Sequence, residues 1–237
     1  TEKPKKAPKP KAPVELKDYG FVAVCMGKGI TNILKDLGVD RVIEGGQTMN
    51  PSTDDILKAV KRVKAKTVYV FPNNKNIIMA ANQAAELVED KKIVVIPSKS
   101  VPQCISAMVE FNDKKSAEAN EKAMNKAIGR VTSGQLTYAV RDTEIDGIEI
   151  KKDDILGMVE GKIVTVGKDI DDVLNRVVSQ MVDEDTEFLN VYYGKEIKKP
   201  QADVMLKALE TKYADDEIEV SFKKGGQPLY YYIISAE

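Results

Sequence analysis

Four short runs rich in Val and Ile, each followed by a polar loop and then a helical pattern, constrain this chain more than any other feature. FVAVCM leads into Cys25-Met26-Gly27-Lys28-Gly29, and DRVI into Glu44-Gly45-Gly46-Gln47-Thr48-Met49-Asn50-Pro51-Ser52. TVYVF leads into Phe71-Pro72-Asn73-Asn74-Lys75-Asn76, and KIVVI into Ile96-Pro97-Ser98-Lys99-Ser100. Unbroken apolar runs of this kind suit parallel strands covered on both faces. Strands are expected at 21–26, 40–43, 67–71 and 92–96, with helices at 29–37, 52–64, 75–88, 101–110 and 114–128. Strand and helix alternating in this way make a doubly wound α/β unit. Its four loops then collect at the carboxyl edge of one sheet, where open α/β folds bind ligands.

The texture changes after Gly134. Strands are expected at 136–140, 144–150 with Asp146-Gly147 in or beside it, a third apolar stretch after Asp153-Asp154, and 163–166. A helix at 169–182, a strand at 187–193, a helix near 201–213 and strands at 217–222 and 229–235 complete the pattern, with Tyr230-Tyr231-Tyr232 placed on the last strand. The division read from this is a Lys/Pro linker at 1–13, an α/β unit with a parallel sheet at 14–130, and a second α+β unit at 131–237. The linker, TEKPKKAPKPKAP, has no large apolar side chain to bury and is expected to be extended and flexible. A chain opening on such a segment, with Thr1 first, reads as a piece of a longer protein.

Composition removes several functions. The chain has 36 basic and 37 acidic residues, so net charge offers no attraction for nucleic acid. No apolar run reaches membrane-span length. There is no histidine, and the two cysteines, Cys25 and Cys104, stand far apart, so no zinc site is expected and a reduced, cytoplasmic setting is. Serine or cysteine nucleophiles would lack an imidazole base, and no catalytic residue is assigned. The acids at Asp142, Glu144, Asp146, Asp153 and Asp154, near Arg141, read either as a solvated hairpin rim or as oxygen ligands for a divalent cation. Asp183-Glu184-Asp185 lies at a helix C-terminus, where the dipole disfavours acids.

The loops carry the candidate binding residues: Gly27, Lys28, Gly45, Gly46, Gln47, Asn50, Ser52, Asn73, Asn74, Lys75 and Ser98. Gly27-Lys28-Gly29 matches the first part of a dinucleotide fingerprint, but Asn32 stands where the third glycine belongs, which favours a simple tight turn. Gly45 and Gly46 can bring backbone N–H groups close to a ligand, while Gln47 and Asn50 offer neutral donors and acceptors. Ser52 suits a helix cap, and Asn73-Asn74-Lys75-Asn76 crowns a helix N-terminus that favours an anion. A carboxylate or phosphate is the natural guest.

The strings GFVAVCMGKGI, DLGVDRVIEGGQTMNPSTDDI, FPNNKNI, SGQLTYAVRDTEIDGIEIKKDDILGMVEGKI and DEDTEFLNVYYG resemble the C-terminal domain of the A component of bacterial fatty acid kinase, a family also described as dihydroxyacetone-kinase-like or YloV-like. The likeness runs from about Tyr19 to Ile234. More remotely, the loop pattern is similar to DegV-like fatty-acid-binding proteins, so the resemblance implies a DegV/DhaK-like two-domain architecture. In that fold a Ser-Gln-Pro loop and a Ser-Ser loop hold a fatty acid carboxylate. The corresponding stretches here are Gly46–Ser52 and Pro72-Asn73-Asn74, where asparagines replace the serine pair.

The resemblance implies a parent enzyme whose N-terminal domain binds ATP and magnesium, with no cofactor in this fragment. The parent would phosphorylate a fatty acid carboxylate to an acyl phosphate for phospholipid synthesis. The expected partners are the other domains of the parent chain and a DegV-like fatty-acid-binding subunit, with a homodimer also admitted through that parent. The leading expectation is a docking domain without catalysis of its own. The alternatives are a small-ligand domain holding a fatty acid carboxylate or phosphate at the sheet edge, and an autonomous kinase or dehydrogenase.

Overall fold

The computed structural model describes residues 15–46 and 49–237. The expected linker at 1–13 and the candidate Gln47 lie outside the described residues. The first sheet is wholly parallel, in the order β2-β1-β3-β4, with β1 at Lys17–Cys25, β2 at Arg41–Glu44, β3 at Ala65–Phe71 and β4 at Lys92–Val95. Alternate residues of the central strands face opposite ways. Val22, Val24, Val68 and Val70 pack on α2 (Thr53–Arg62) and α3 (Ile78–Glu86). Phe21, Ala23, Tyr69 and Phe71 pack on α1 (Lys28–Asp36), α4 (Val101–Glu110) and α5 (Ala117–Ile128). Both faces are covered, which is why these strands read as continuous apolar runs.

Several elements differ from the sequence expectation: the strand expected at 136–140 runs Thr132–Tyr138, the one expected at 144–150 is a two-stranded hairpin, and two further differences have a local backbone reason. The third helix begins at Ile78 rather than 75. Asn73 takes a left-handed φ of 55°, and the Asn74 Oδ1 accepts the Asn76 N–H at 2.9 Å, so the side chains replace the first helical turn. The last strand, β12, runs Tyr232–Ala236. Leu229 has a φ of 69° and breaks the extended run, leaving Tyr230 and Tyr231 in the loop before it.

The second sheet has the order β11-β10-β12-β5-β8-β9. Its strands are β5 (Thr132–Tyr138), β8 (Ile155–Val159), β9 (Lys162–Gly167), β10 (Phe188–Tyr193), β11 (Glu219–Lys224) and β12, and all neighbours are antiparallel except β10 and β11. β6 (Thr143–Ile145) and β7 (Ile148–Ile150) form a separate hairpin. Positive φ at Asp146 and Gly147 makes its two-residue turn.

One face of the second sheet packs α6 (Ile170–Met181) and α7 (Lys199–Lys212) through Val191, Tyr193, Tyr232 and Ile234. On the other face, the cross-strand pair Tyr192 and Ile233 joins the core of the first unit beside Cys104, Ala107 and Met108. This shared core seats the second sheet over α4 and beside the carboxyl edge of the first. Among the described residues, no helix is long and apolar enough to cross a membrane.

Candidate functional site

The order β2-β1-β3-β4 places the switch of chain direction between β1 and β3, so the crevice opens past Cys25 and Phe71. Asn73 closes the floor of that crevice. Its Nδ2 donates to the Val24 carbonyl at 2.9 Å, and its Oδ1 accepts the Ser98 hydroxyl at 2.7 Å. Ser98 is fully buried. Both residues are thus tied to each other and to the sheet.

Above them lies a cavity of about 60 Å³, walled by Cys25, Gly45 and Asn73 from the first unit and by Gln135, Gln227 and Ile233 from the second. The Gly45 N–H donates to the Cys25 carbonyl and the Gly46 N–H to the Met49 carbonyl, both at 3.2 Å. Their backbone donors serve the loop itself rather than a guest. Gln227 donates through Nε2 to the Tyr192 carbonyl at 2.8 Å, while its buried Oε1 has no partner among the described residues.

Beside it is a larger, polar cleft of about 230 Å³ that includes Asn74, Lys75, Lys99, Ser100 and Gln135. A third recess, an open groove of about 610 Å³, borders β2 and holds Lys28, Lys35, Arg41 and Lys195 with Asp40 and Glu44.

The glycine turn and Ser52 have structural explanations. A side chain at Gly29 would place its Cβ 1.8 Å from the Lys224 carbonyl oxygen, and one at Gly27 would sit 2.6 Å from the Gln227 nitrogen. The Ile30 N–H also donates to the Gly225 carbonyl at 3.1 Å. The glycine turn is therefore filled by the backbone of the second unit, where a pyrophosphate would need to lie. Ser52 caps α2 in a capping box, accepting the Asp55 N–H at 3.2 Å while its own N–H donates to Asp55 Oδ2 at 2.9 Å. Asn50 is exposed and borders a separate recess with Arg62 on the far side of β2.

Several contributors came from outside the candidate residues, among them Gln135 and Gln227 at the crevice, Lys99 and Ser100 in the cleft, and Lys35, Arg41 and Lys195 in the groove. One signal was available for Gln227. Gly225-Gly226-Gln227-Pro228 repeats the Gly-Gly-Gln of the loop at 45–47.

Titration chemistry does not favour a nucleophile. Burial pushes the Cys25 thiol up, against a bond from Thr31, and burial raises Cys104 further. Both thiols are free and buried. The acidic clusters are also engaged. Asp154 pairs with Lys168 and accepts the Lys151 N–H at 2.8 Å. Asp183 Oδ1 accepts the Thr186 hydroxyl at 2.9 Å and the Asp185 N–H at 3.1 Å, which accounts for one of the three acids after α6 as a turn former. Among the described residues, no group of three or more such ligands converges on a point.

Comparison with known proteins agrees with this architecture. The chain is 50% identical over 219 residues to protein YloV of Bacillus subtilis (strain 168), covering 92% of this chain and 39% of that protein. DegV, a fatty acid binding protein from Bacillus subtilis, has a similar fold with a TM-score of 0.61 at 12% identity, over 93% of this chain and 99% of that one. The dihydroxyacetone kinase of C. freundii matches with a TM-score of 0.59 at 11% identity, over 92% of this chain and 48% of that one. At such identities these two comparisons show the fold alone. The chain spans well under half of YloV, which makes it a counterpart of one part of that protein. Residues 20–237 match the FakA-like C-terminal family, the C-terminal region of fatty acid kinase A-like proteins, and the chain belongs to that family.

Proposed function

We propose that this chain is the C-terminal domain of a fatty acid kinase, and that it docks a DegV-like fatty-acid-binding subunit without catalysing a reaction itself. The parent enzyme, with ATP and magnesium held in another domain, would phosphorylate the carboxylate of the fatty acid that the partner presents. The groove along β2 carries this reading. Residues 1–13 hold five lysines and one glutamate, so the rest of the chain has 31 basic and 36 acidic residues, a net charge of −5. Against that background Lys28, Lys35, Arg41 and Lys195 gather in one groove with no ion-pair partner among the described residues. Of the two acids there, Asp40 is already paired with Lys17 at 2.8 Å. Unpaired cations on an acidic body favour an acidic partner face.

Two further observations support a role in docking rather than in carrying. The fold is that of a fatty acid binding protein. Yet the cavity at its switch point is about 60 Å³, whereas a site of about 150 Å³ holds only a benzene. So small a crevice favours docking over holding an acyl chain. Gly27 and Gly29 are likewise closed by residues 224–227, which speaks against nucleotide binding in this fragment.

The test is calorimetric titration of this chain with the DegV-like subunit of the same bacterium. Exposed ion pairs contribute about 0.2–1 kcal/mol each, so they steer encounter more than they hold the complex. Binding should weaken with added salt, and the triple variant K28E/K35E/R41E should associate at least tenfold more slowly. Absence of heat at high micromolar concentrations would overturn the docking reading. Unchanged association by the triple variant would move the interface off this groove.

A further inference from the structure

β2 is the outer strand at one side of the first sheet, with β1 against it and no strand beyond it among the described residues. The Gly45 N–H donates to the Cys25 carbonyl at 3.2 Å. Main-chain bonding alternates along a strand, so Arg41 and Ile43 also face β1, while Val42 and Glu44 turn their N–H and C=O groups outward. We infer that the partner of the docking reading, on which this step rests, binds by strand addition: an extended segment of it, with acidic and apolar side chains alternating, pairs with Val42 and Glu44. The first sheet is then one strand wider in the complex.

The grooves beside the strand match this mode. Val42 packs on the α1 side of the sheet and Ile43 on the α2 side. Over Val42 lies the groove of about 610 Å³ with Lys28, Lys35 and Lys195. Over Ile43 lies a second groove, of about 450 Å³, bordered by Met49, Pro51 and Ala59. Both run along the same four residues of β2. An added strand points successive side chains to opposite faces, so its residues enter the two grooves in turn. Main-chain bonds then hold the segment, and the grooves select its side chains.

The lining fixes the chemistry of the segment. On the α1 side its residues meet unpaired ammonium groups and are acidic. On the α2 side Asp55 is held in the capping box and Lys58 is paired with Asp54. What remains there is exposed Met49 beside Ile43, so an apolar residue fits. Glu44 borders both grooves and has no ion-pair partner among the described residues. It repels an acid placed next to it, which puts the acids of the segment toward the Arg41 end of the strand.

The opposite edge of the same sheet lacks these features. At β4, Lys92 is already paired with Glu118, and the groove beside the strand holds Glu86 and Glu121. An acidic segment is repelled there. An uncovered edge is a template for another strand, and only at β2 do free cations accompany it on this sheet.

The experiment follows amide hydrogen exchange at Val42 and Glu44 in the free chain and with saturating DegV-like subunit of the same bacterium, beside the calorimetric titration. Both amides should exchange fast in the free chain and slow about tenfold or more in the complex, as new ladder bonds form. Those of Arg41 and Ile43, bonded to β1, should be protected in both. Val42→Pro removes an outward N–H and leaves the β1 ladder whole, a change that edge strands tolerate. It should bind about tenfold more weakly. Measurable heat with both amides still exchanging at the free rate would overturn strand addition and leave docking standing. Wild-type affinity in a folded Val42→Pro chain would do the same, and if that variant does not fold, the wild-type exchange rates decide. Protection that rises with the concentration of this chain alone would assign the edge to a second copy and overturn the partner segment. Absence of heat would overturn the docking reading and strand addition together.

Discussion

Asn73 and Ser98 close on each other across the carboxyl edge of the first sheet, the Ser98 hydroxyl donating to Asn73 Oδ1 at 2.7 Å and accepting the Asn73 N–H at 3.2 Å. The pair joins the loop after β3 to the loop after β4 and is anchored to β1 through the Val24 carbonyl. A crevice that in this fold class opens to ligands is here tied shut at its floor.

That bond predicts the cost of Ser98→Ala. The variant leaves the Asn73 side chain short of a donor in a half-buried setting, which costs about 1–3 kcal/mol. Urea unfolding should report a loss in that range, and a change below about 0.5 kcal/mol would show that the pair is incidental. Affinity for a partner seated on β2 should not move.

Gly29→Ala tests the seam between the two units. Its Cβ would lie 1.8 Å from the Lys224 carbonyl oxygen, a backbone atom that cannot rotate away. Overpacking of this kind costs about 1–3 kcal/mol or more. The expected result is a lowered melting temperature together with new amide exchange at residues 224–227. Wild-type stability would show that the seam is loose.

Tyr232→Phe should be neutral or stabilising. The Tyr232 ring is fully buried against Phe222, and its hydroxyl has no hydrogen-bond partner among the described residues. Removing an unsatisfied buried hydroxyl while keeping the ring relieves a desolvation cost of about 1 kcal/mol. A melting temperature several degrees lower would reveal a bonded water or partner at that oxygen.

Asp154 links acid stability to the hairpin base. The Lys168 ammonium and the Lys151 N–H hold its carboxyl below the usual carboxylate range. Because the folded value is depressed, the stabilisation is present above the ordinary value of about 3.9 and is lost as pH falls through the lower folded value. Asp154→Asn should therefore be less stable than wild type at pH 7, and the gap should narrow as pH drops below about 4. Denaturant midpoints across that window check the sign, and a gap that widens in acid would contradict it.

The two thiols should be silent in the native protein. Burial raises both, and the thiolate is the reactive form. A thiol reagent should modify Cys25 and Cys104 only at the rate of unfolding. Fast labelling of either one would mean that the core opens locally.

Much of the fold was legible because its signals are local. The first-sheet strands follow from runs such as FVAVC and TVYVF, since a strand covered on both faces must be apolar throughout. Ser52 was readable as a cap because a capping box needs only a residue and its neighbour three along. The late start of α3 and the break at Leu229 were less legible, because each rests on a positive φ at a residue other than glycine. Neither Asn73 nor Leu229 announces that conformation in its sequence context.

For the site, sequence and tertiary structure divide differently. The sequence alone determined the parallel sheet, its carboxyl-edge loops, the lack of histidine and the polar character of Asn73-Asn74-Lys75. These depend on residue type and on spacing over a few positions. Tertiary structure alone decided that Asn73 is bound to Ser98, 25 residues away, while Asn74 turns its Oδ1 to the Asn76 N–H. It also decided that residues 224–227 fill the space over Gly27 and Gly29, and that Lys75 and Lys99 face a cleft bordered by Glu160. Those contacts cross between separate sheets. They follow from how the shared core around Tyr192 and Ile233 seats one sheet against the other, and burial of that core carries no mark at the loops it brings together.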